Sequence, residues 1–234
     1  MKKDEFYKEI EKLGISITPN MKQQLEEYAN FLLEYNEHTN LTAIKTKEEV
    51  YLKHFYDSLT LKKIANLENG ALLDVGTGAG FPGLVLAIIF PNLDVTLLDS
   101  NNKKITFLKE CITRLQIKNA HTVYSRAEDY TKIHRESFDF VTSRAVAELR
   151  ILLELNIPAV KVNGLFLAMK GNIETELQSS LKTMQILGCS ILEKQEFTLP
   201  YNGGVRTLLS IKKEKATDLK YPRTYDKIKK KALR

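Results

Sequence analysis

The chain has 234 residues, a formal net charge of +6 and two cysteines, and 43% of its residues are apolar. This length is sufficient for one substantial core, while two cysteines in apolar segments, Cys111 and Cys189, fit neither a disulfide framework nor a zinc site. The charged stretch MKKDEFYKEIEKL and apolar runs as short as LVLAIIF argue against secretion and membrane spanning, so we expect a soluble cytoplasmic protein.

The first 69 residues are predicted to form a helical N-terminal extension, because apolar residues recur there at helical spacing without an alternating strand run. His54, Asp57 and Ser58 stand at i, i+3 and i+4, so on a helix they share one face and can form a polar cluster over a ligand. The alternative is that His54 is a packed surface residue and that Asp57 belongs to a local ion pair. Asn40 and Thr42 equally suit turn and capping positions.

From residue 70 to residue 212, short apolar runs alternate with helical segments. ALLDV, DVTLLD, AHTVY, FDFVTS and GLFLAMK are typical of strands, and their alternation with helices predicts a mostly parallel sheet covered on both faces. SILEKQEFTL and VRTLLSIKK are joined by the short turn PYNGG, so this last pair should be antiparallel. The predicted fold class is therefore α/β and Rossmann-like, with an antiparallel C-terminal hairpin.

The stretch LLDVGTGAGFPG, residues 72–83, connects the first predicted strand to the first helix of this domain, at the edge where ligands bind in open α/β sheets. A triphosphate loop ends in Gly-Lys-Ser/Thr, and neither Lys nor Ser occurs in this loop or the helix after it. Gly78, Gly80 and Gly83 match the dinucleotide pattern G-x-G-x-x-G, but Asp74 just before them opposes a pyrophosphate. An aspartate there suits a sulfonium or an ammonium group, as in S-adenosylmethionine, which has no phosphate.

Polar residues follow the next three predicted strands. Asp99 ends the second strand, where an acidic residue accepts hydrogen bonds from both ribose hydroxyls; a helix N-cap is its alternative role. Ala127 and Glu128 follow the third strand, within reach of an adenine. Arg144 follows the fourth strand, beside the reacting centre, where an anion or a nucleobase is the expected partner; an ion pair with Glu128 or Asp74 is the alternative.

The last 22 residues, 213–234, are predicted to form a basic C-terminal tail. Residues 212–234 hold ten Lys or Arg against three Asp or Glu, a net charge of +7, so the preceding chain sums to −1. Tyrosines among these lysines suit contacts with the phosphates and bases of RNA, and the alternative is a solvated, partly disordered terminus. As an electrostatic contact, the tail should strengthen RNA binding without affecting cofactor affinity.

The motifs LLDVGTGAGFPGLVLAI, LLDS, SRAE, FDFVTSRAVA and GLFLAMKG together resemble the RsmG (GidB) family, bacterial methyltransferases that form 7-methylguanosine in 16S ribosomal RNA. YNEHTNLTAI and KHFYDSL resemble the N-terminal signatures of that family, and the resemblance extends to Lys212, with the loop PYNGG as a departure. It implies a Rossmann-like class I methyltransferase that uses S-adenosylmethionine and acts on 16S ribosomal RNA or an assembling small ribosomal subunit. We expect a cytoplasmic monomer.

The predicted contact residues come partly from this resemblance and partly from the crevice. The cofactor positions of the family correspond to Gly76, Phe81, Ala127, Glu128 and Arg144. The physics of the crevice adds Gly78, Gly80 and Asp99. Lys170 and Arg206 also resemble family positions, and both can face RNA phosphate. The predicted substrate contacts are Asn40, His54, Asp57, Ser58, Lys170 and Arg206.

The chemistry of the implied target agrees with the absence of an obvious base. Guanine N7 carries a lone pair and no proton, so methyl transfer to it requires alignment rather than proton removal. We therefore expect Arg144 to support both the cofactor pocket and the guanine, by donating to O6. Two other functions stay open: a NAD-dependent oxidoreductase, and a non-catalytic RNA-binding protein with a vestigial pocket. No histidines stand at metal-ligand spacing, so no metal is predicted.

Overall fold

A computed structural model describes residues 1–144 and 147–233 of the chain, and within them seven strands form one sheet. The strands are β1 (Gly70–Val75), β2 (Leu93–Asp99), β3 (Ala120–Tyr124), β4 (Phe138–Arg144), β5 (Val160–Lys170), β6 (Cys189–Leu199) and β7 (Gly204–Lys213). Their order across the sheet is β3-β2-β1-β4-β5-β7-β6. Strands β1 to β5 pair in parallel, whereas β7 is antiparallel to both β5 and β6. The predicted fold class and the antiparallel hairpin are confirmed.

Helices precede the sheet and cover both of its faces. The α-helices are α1 (Lys3–Glu11), α2 (Pro19–Thr39), α3 (Lys47–Glu49), α4 (Asp57–Leu59), α5 (Gly83–Ile89), α6 (Asn102–Arg114), α7 (Ala127–Ile133), α8 (Leu149–Asn156), α9 (Glu174–Leu187) and α10 (Tyr225–Lys230). A π-helix spans Val50–Tyr56, and 3₁₀ turns span Thr60–Lys63 and Ile157–Ala159. In the described parts of the chain, no helix combines the length and the hydropathy of a membrane span.

The N-terminal helices share a hydrophobic core with one face of the sheet. Phe6 of α1, Tyr28 of α2 and Phe55 of the π-helix are fully buried in one cluster with Leu84 of α5 and Leu108 of α6. Each such side chain contributes roughly 1.5–3 kcal/mol on burial. This packing places the π-helix beside the carboxyl ends of the central strands. The polar residues that come directly after the π-helix in the sequence therefore contact the sheet there.

The opposite face of the sheet is covered by α7, α8 and α9 and by the C-terminal segment. Tyr221 and Ile228 of that segment are buried, and Arg223 forms an ion pair with Glu154 of α8, whose side chain is fully buried (Nη2 to Oε2 2.6 Å). Apolar burial together with a buried ion pair orders this segment on the domain. The basic tail is therefore packed against the domain as far as Leu233, rather than fully solvated.

Candidate active site

A cavity of about 540 Å³ opens at the carboxyl ends of the parallel strands, where the sequence places a ligand site. The glycine loop forms its floor, and residues after β2, β3 and β4 form its sides. The N-terminal extension and the C-terminal segment also contribute to the wall. The residues that these parts contribute include Thr42, His54, Gly76, Gly78, Phe81, Asp99, Ala127, Glu128, Arg144 and Tyr225.

The glycine loop is held by hydrogen bonds to the neighbouring strand. The amides of Gly76 and Thr77 both donate to the carbonyl of Leu98, at 2.8 and 3.0 Å. The Gly78 amide donates to the Asp99 carboxylate at 2.9 Å. Because these bonds bend the loop back toward β2, its backbone passes along the floor of the cavity, as the sequence predicts for Gly76 and Gly78.

Asp74 supports this loop from beneath and does not reach the cavity. Its fully buried carboxylate accepts hydrogen bonds at Oδ2 from the Thr77 hydroxyl (2.7 Å) and the Gly83 amide (2.8 Å). Its Oδ1 has no partner among the described residues. Burial raises the pKa of Asp74 to about 6. The expectation that Asp74 meets the charged group of a ligand is wrong, because Asp74 is not among the residues that line the cavity.

Gly80 also lies outside the cavity wall, contrary to its predicted contact with the cofactor. Its φ is +100°, and a Cβ there would come within 2.5 Å of the Tyr28 hydroxyl. That hydroxyl donates to the carbonyl of Ala79. Gly80 is therefore required for the close approach of α2 to the back of the loop.

Asp99 lies at the end of β2 and faces the cavity. Its Oδ1 accepts from the Asn101 amide at 2.8 Å, and the Lys104 ammonium lies 3.7 Å from Oδ2. The cap of α6 is Asn101, whose side chain accepts from the Lys103 amide at 3.0 Å. The capping alternative for Asp99 is therefore wrong.

Glu128 lies in the first turn of α7 and lines the cavity. Its Oε1 is 3.2 Å from Nε of Arg126, while its Oε2 is buried and lacks a hydrogen-bond partner within residues 1–144 and 147–233. A buried carboxylate oxygen without a donor is costly unless a ligand supplies one.

Arg144, at the end of β4, is the centre of a polar group that we call the Arg144 cluster: Thr42, His54, Asp57, Arg144 and Arg206. Its Nη1 donates to the Lys53 carbonyl (2.9 Å) and to Asp57 Oδ2 (3.2 Å), and its Nη2 donates to His54 Nδ1 (3.1 Å). These bonds use three of its five N–H donors. The predicted ion-pair alternatives, Glu128 and Asp74, are wrong because the carboxylate partner is Asp57.

His54 is buried at the cavity, so the alternative of a packed surface residue is wrong. Burial, together with the charge of Arg144, lowers the pKa of His54 to about 3, so the ring is neutral. Since arginine can only donate, His54 Nδ1 accepts, and Nε2–H donates to the Thr42 hydroxyl at 3.0 Å. That hydroxyl also accepts from the Ile44 amide at 3.2 Å, so its own hydrogen is left to donate into the cavity.

Asp57 joins the two arginines of the cluster. Its Oδ2 binds Arg144, and its Oδ1 accepts from Arg206 Nε at 2.7 Å, with the Asp57 side chain fully buried. Ser58 is also fully buried and donates to the carbonyl of His54 at 2.6 Å. The predicted polar cluster is present, but Asp57 and Ser58 hold it together from behind and do not line the cavity.

Two further predicted substrate contacts have other partners in the structure. Lys170 lies 2.9 Å from the Glu176 carboxylate and donates to the Ala147 carbonyl at 2.8 Å, with only 11% of its side chain exposed. A phosphate contact by Lys170 is therefore disfavoured. Asn40 is the left-handed C-cap of α2, with φ of 51°, which agrees with its alternative turn role and keeps it outside the cavity wall.

The family model described as rRNA small subunit methyltransferase G (GidB) matches residues 21–200. The chain belongs to this family. It is 46% identical to the ribosomal RNA small subunit methyltransferase G of Pediococcus pentosaceus and 45% identical to that of Lactobacillus helveticus, with 95% of each chain covered in both cases. Membership in the GidB family confirms the predicted methyltransferase class and S-adenosylmethionine as its methyl donor.

Solved structures agree with this fold at low sequence identity. A methyltransferase from Aquifex aeolicus described as SAM dependent has a TM-score of 0.55 and 18% identity over 74% of this chain and 96% of its own. At that identity the likeness concerns the fold, which is the Rossmann-like arrangement expected for the GidB family.

Thr42 and Tyr225 are among the cavity residues that were not predicted as contacts. Thr42 was interpreted only as a turn residue, and no local pattern shows that its hydroxyl is orientated by a histidine twelve positions away. Tyr225 lies in the tail, and its packing against the domain has no periodic signal in the sequence. Within the described chain, no group of three or more His, Cys, Asp or Glu side chains is placed to hold a metal ion.

Proposed function

We propose that this protein transfers a methyl group from S-adenosylmethionine to N7 of a guanosine in 16S ribosomal RNA, as a cytoplasmic monomer. The proposal rests on one observation. The glycine loop and the carboxylates of Asp99 and Glu128 line the same cavity as Arg144 and His54 of the Arg144 cluster. The first part suits an adenosyl donor without phosphate, and the second suits a nucleobase.

The residues of the cavity fit the donor. Asp99 would hold the ribose hydroxyls, the free oxygen of Glu128 would accept from the adenine amine, and the backbone of Gly76 and Gly78 would lie along the methionine portion. The ring of Phe81 forms the wall on the side of Arg144. S-adenosylmethionine, when bound, supplies an electrophilic methyl group on a positively charged sulfur.

Arg144 is the residue that would orient the guanine. Its guanidinium lies 5.3 Å from the centroid of Phe81 and keeps two N–H donors beyond those that bind Lys53, Asp57 and His54. Guanine presents O6 and N7 as neighbouring acceptors on one edge. A donor from Arg144 to O6 would hold that edge in place and leave N7 free, aligned for attack on the methyl group.

The same geometry argues against general base catalysis. His54 is neutral, but its Nδ1 is occupied by Arg144 and its Nε2–H by Thr42, so it has no lone pair to offer a substrate proton. Guanine N7 bears no proton to remove. The cluster therefore acts by alignment, in agreement with an in-line displacement.

The decisive experiment identifies the methylated nucleoside. The protein is incubated with labelled S-adenosylmethionine and either naked 16S ribosomal RNA or small ribosomal subunits, and the digested RNA is separated by mass spectrometry. We expect label in 7-methylguanosine, and none when S-adenosylhomocysteine is in excess. Label in a methylated adenosine or in an exocyclic amine would overturn the proposal.

A parallel binding experiment addresses the rival functions. Calorimetry with S-adenosylmethionine and with NAD should give binding of the former only, because the chain belongs to a methyltransferase family. Binding of NAD without binding of the methyl donor would favour an oxidoreductase. Donor binding without methyl transfer to either RNA substrate would favour a non-catalytic RNA-binding protein.

A further inference from the structure

The C-terminal segment Glu214–Leu233 reaches the cavity through one residue, Tyr225. Tyr225, in the first turn of α10, lines the cavity together with Arg126, Glu128 and Leu155. The guanidinium of Arg126 lies 4.8 Å from the centroid of the Tyr225 ring. Arg126 also pairs with Oε1 of Glu128, whose Oε2 has no donor within the described chain, so this aromatic side chain and this carboxylate line the same cavity.

The segment is anchored on both sides of Tyr225. Before it, the Arg135 guanidinium donates to the carbonyls of Thr217 and Tyr221, the latter at 2.6 Å. Two residues before Tyr225, Arg223 binds the buried Glu154 through its backbone amide (3.1 Å) and through Nε (2.7 Å). Buried, charge-assisted bonds of this kind hold a backbone in one place.

The segment is also anchored after Tyr225. Ile228 is fully buried, and the Thr183 hydroxyl of α9 donates to the carbonyl of Leu233 at 2.8 Å. The ring is thus presented by a fixed piece of chain, although the sequence around it reads as a basic tail.

We propose that the C-terminal segment is part of the cofactor site, and that the ring of Tyr225 forms the stacking wall for the adenine of the methyl donor. An aromatic face suits a purine, and the adjacent Glu128 oxygen suits the purine amine. Arg126 contacts the ring by a cation–π interaction and links it to Glu128 through the 3.2 Å ion pair.

This inference rests on the proposed function, because it assigns one wall of the S-adenosylmethionine site. It differs from the expectation that the tail serves RNA alone and that its removal leaves cofactor affinity intact. The reason is that a residue of the tail contributes to the wall of the cavity itself.

The test measures donor affinity in the full chain by calorimetry with S-adenosylmethionine and S-adenosylhomocysteine. Tyr225→Ala should weaken both ligands by about tenfold or more, the range expected for loss of a base–aromatic stack. Tyr225→Phe should stay within about threefold of the original affinity, because stacking needs the ring and not the hydroxyl. Tyr201→Ala is the matched control, since Tyr201 is exposed in the β6–β7 turn.

Hydrogen exchange gives a second readout that does not depend on activity. The amides of residues 224–230 should gain protection from exchange when the original chain binds S-adenosylhomocysteine. The same amides should gain no protection when the ligand is added to Tyr225→Ala. Full donor affinity in Tyr225→Ala, with or without a loss of RNA affinity, would overturn the inference. If the original chain binds neither adenosyl ligand, the proposed function fails as well, and the two failures are distinguished.

Discussion

The glycine loop and the Arg144 cluster meet in one cavity but are built differently. The loop is held by bonds within one strand–loop–strand unit, from Asp74 to Thr77 and Gly83, and from Gly78 to Asp99. The cluster joins segments that are far apart in sequence: Arg144 binds His54 from 90 residues away, and Arg206 binds Asp57 from 149 residues away. The donor side is therefore a local structure, whereas the acceptor side forms only once the whole chain has folded.

The two regions are connected through the ring of Phe81. On one face it stacks on His54, with centroids 4.0 Å apart, and it also stacks on Tyr28 at 5.5 Å. Tyr28 in turn bonds the loop at Ala79. A disturbance of the N-terminal helices should consequently reach the donor side through Tyr28 and the acceptor side through His54.

The largest expected effect is on the long-range links of the cluster. Asp57→Ala would leave two arginines facing one another around a buried site, which should lower the free energy of unfolding by about 4 kcal/mol. Urea denaturation measures this change. Asp218→Ala is the control, because Asp218 pairs with Lys220 on the surface and its loss should change the free energy of unfolding little. Equal losses in the two variants would contradict the structural role of Asp57.

The next largest effect is a pH dependence of the free energy of unfolding, caused by Asp74 beneath the glycine loop. The folded state raises the pKa of Asp74 from 3.8 to about 6, so it binds this proton more tightly than the unfolded chain does. The free energy of unfolding should fall as pH rises from about 4 to about 6, by up to roughly 3 kcal/mol from this group. The measurement is urea denaturation across this range in the original chain and in Asp74→Asn. Identical slopes in both would refute the shift.

A smaller effect is expected from the donor side alone. Asp99→Asn keeps the size of the side chain but removes the charge that accepts ribose hydroxyls, so the affinity for S-adenosylmethionine should fall by about tenfold. Calorimetry measures this affinity. Asp94→Asn is the matched control, because Asp94 is an exposed residue of the same strand. If Asp94→Asn weakens binding as much, Asp99 has no specific role.

The smallest expected effect tests the connection between the regions. Tyr28→Phe removes the hydrogen bond to Ala79 while keeping the ring stacked on Phe81, so the free energy of unfolding should fall by about 1 kcal/mol. Denaturation of this variant is compared with that of Tyr124→Phe, in which the altered side chain is exposed. A change no greater than that of the control would show that the bond is dispensable.

The donor side was largely predictable from the sequence because its contacts are local. The strand before the loop, the loop glycines and Asp99 at the end of the next strand are close enough in sequence for periodicity and spacing to place them. The sequence could not show which residues of the motif line the cavity. Asp74 and Gly80 belong to the same motif, yet neither lines the cavity.

The acceptor side was predictable only in its parts. The spacing of His54 and Asp57 indicated a shared face, but nothing in it shows that Arg144 and Arg206 occupy the two oxygens of Asp57. Nor could the sequence reveal that Lys170 is paired with Glu176 or that Tyr225 returns to the cavity. These contacts depend on tertiary packing, and no local pattern encodes their partners.

The central claim is that Arg144 orients the guanine during methyl transfer. The direct test is the single-turnover rate of Arg144→Ala with S-adenosylmethionine and 16S ribosomal RNA both saturating, with Arg114→Ala, a surface arginine paired with Glu27, as control. A fall of about 100-fold or more is predicted, in the range for a reacting atom that is displaced from its aligned position. An unchanged rate at saturation would contradict the claim, since Arg144 would then contribute to binding alone.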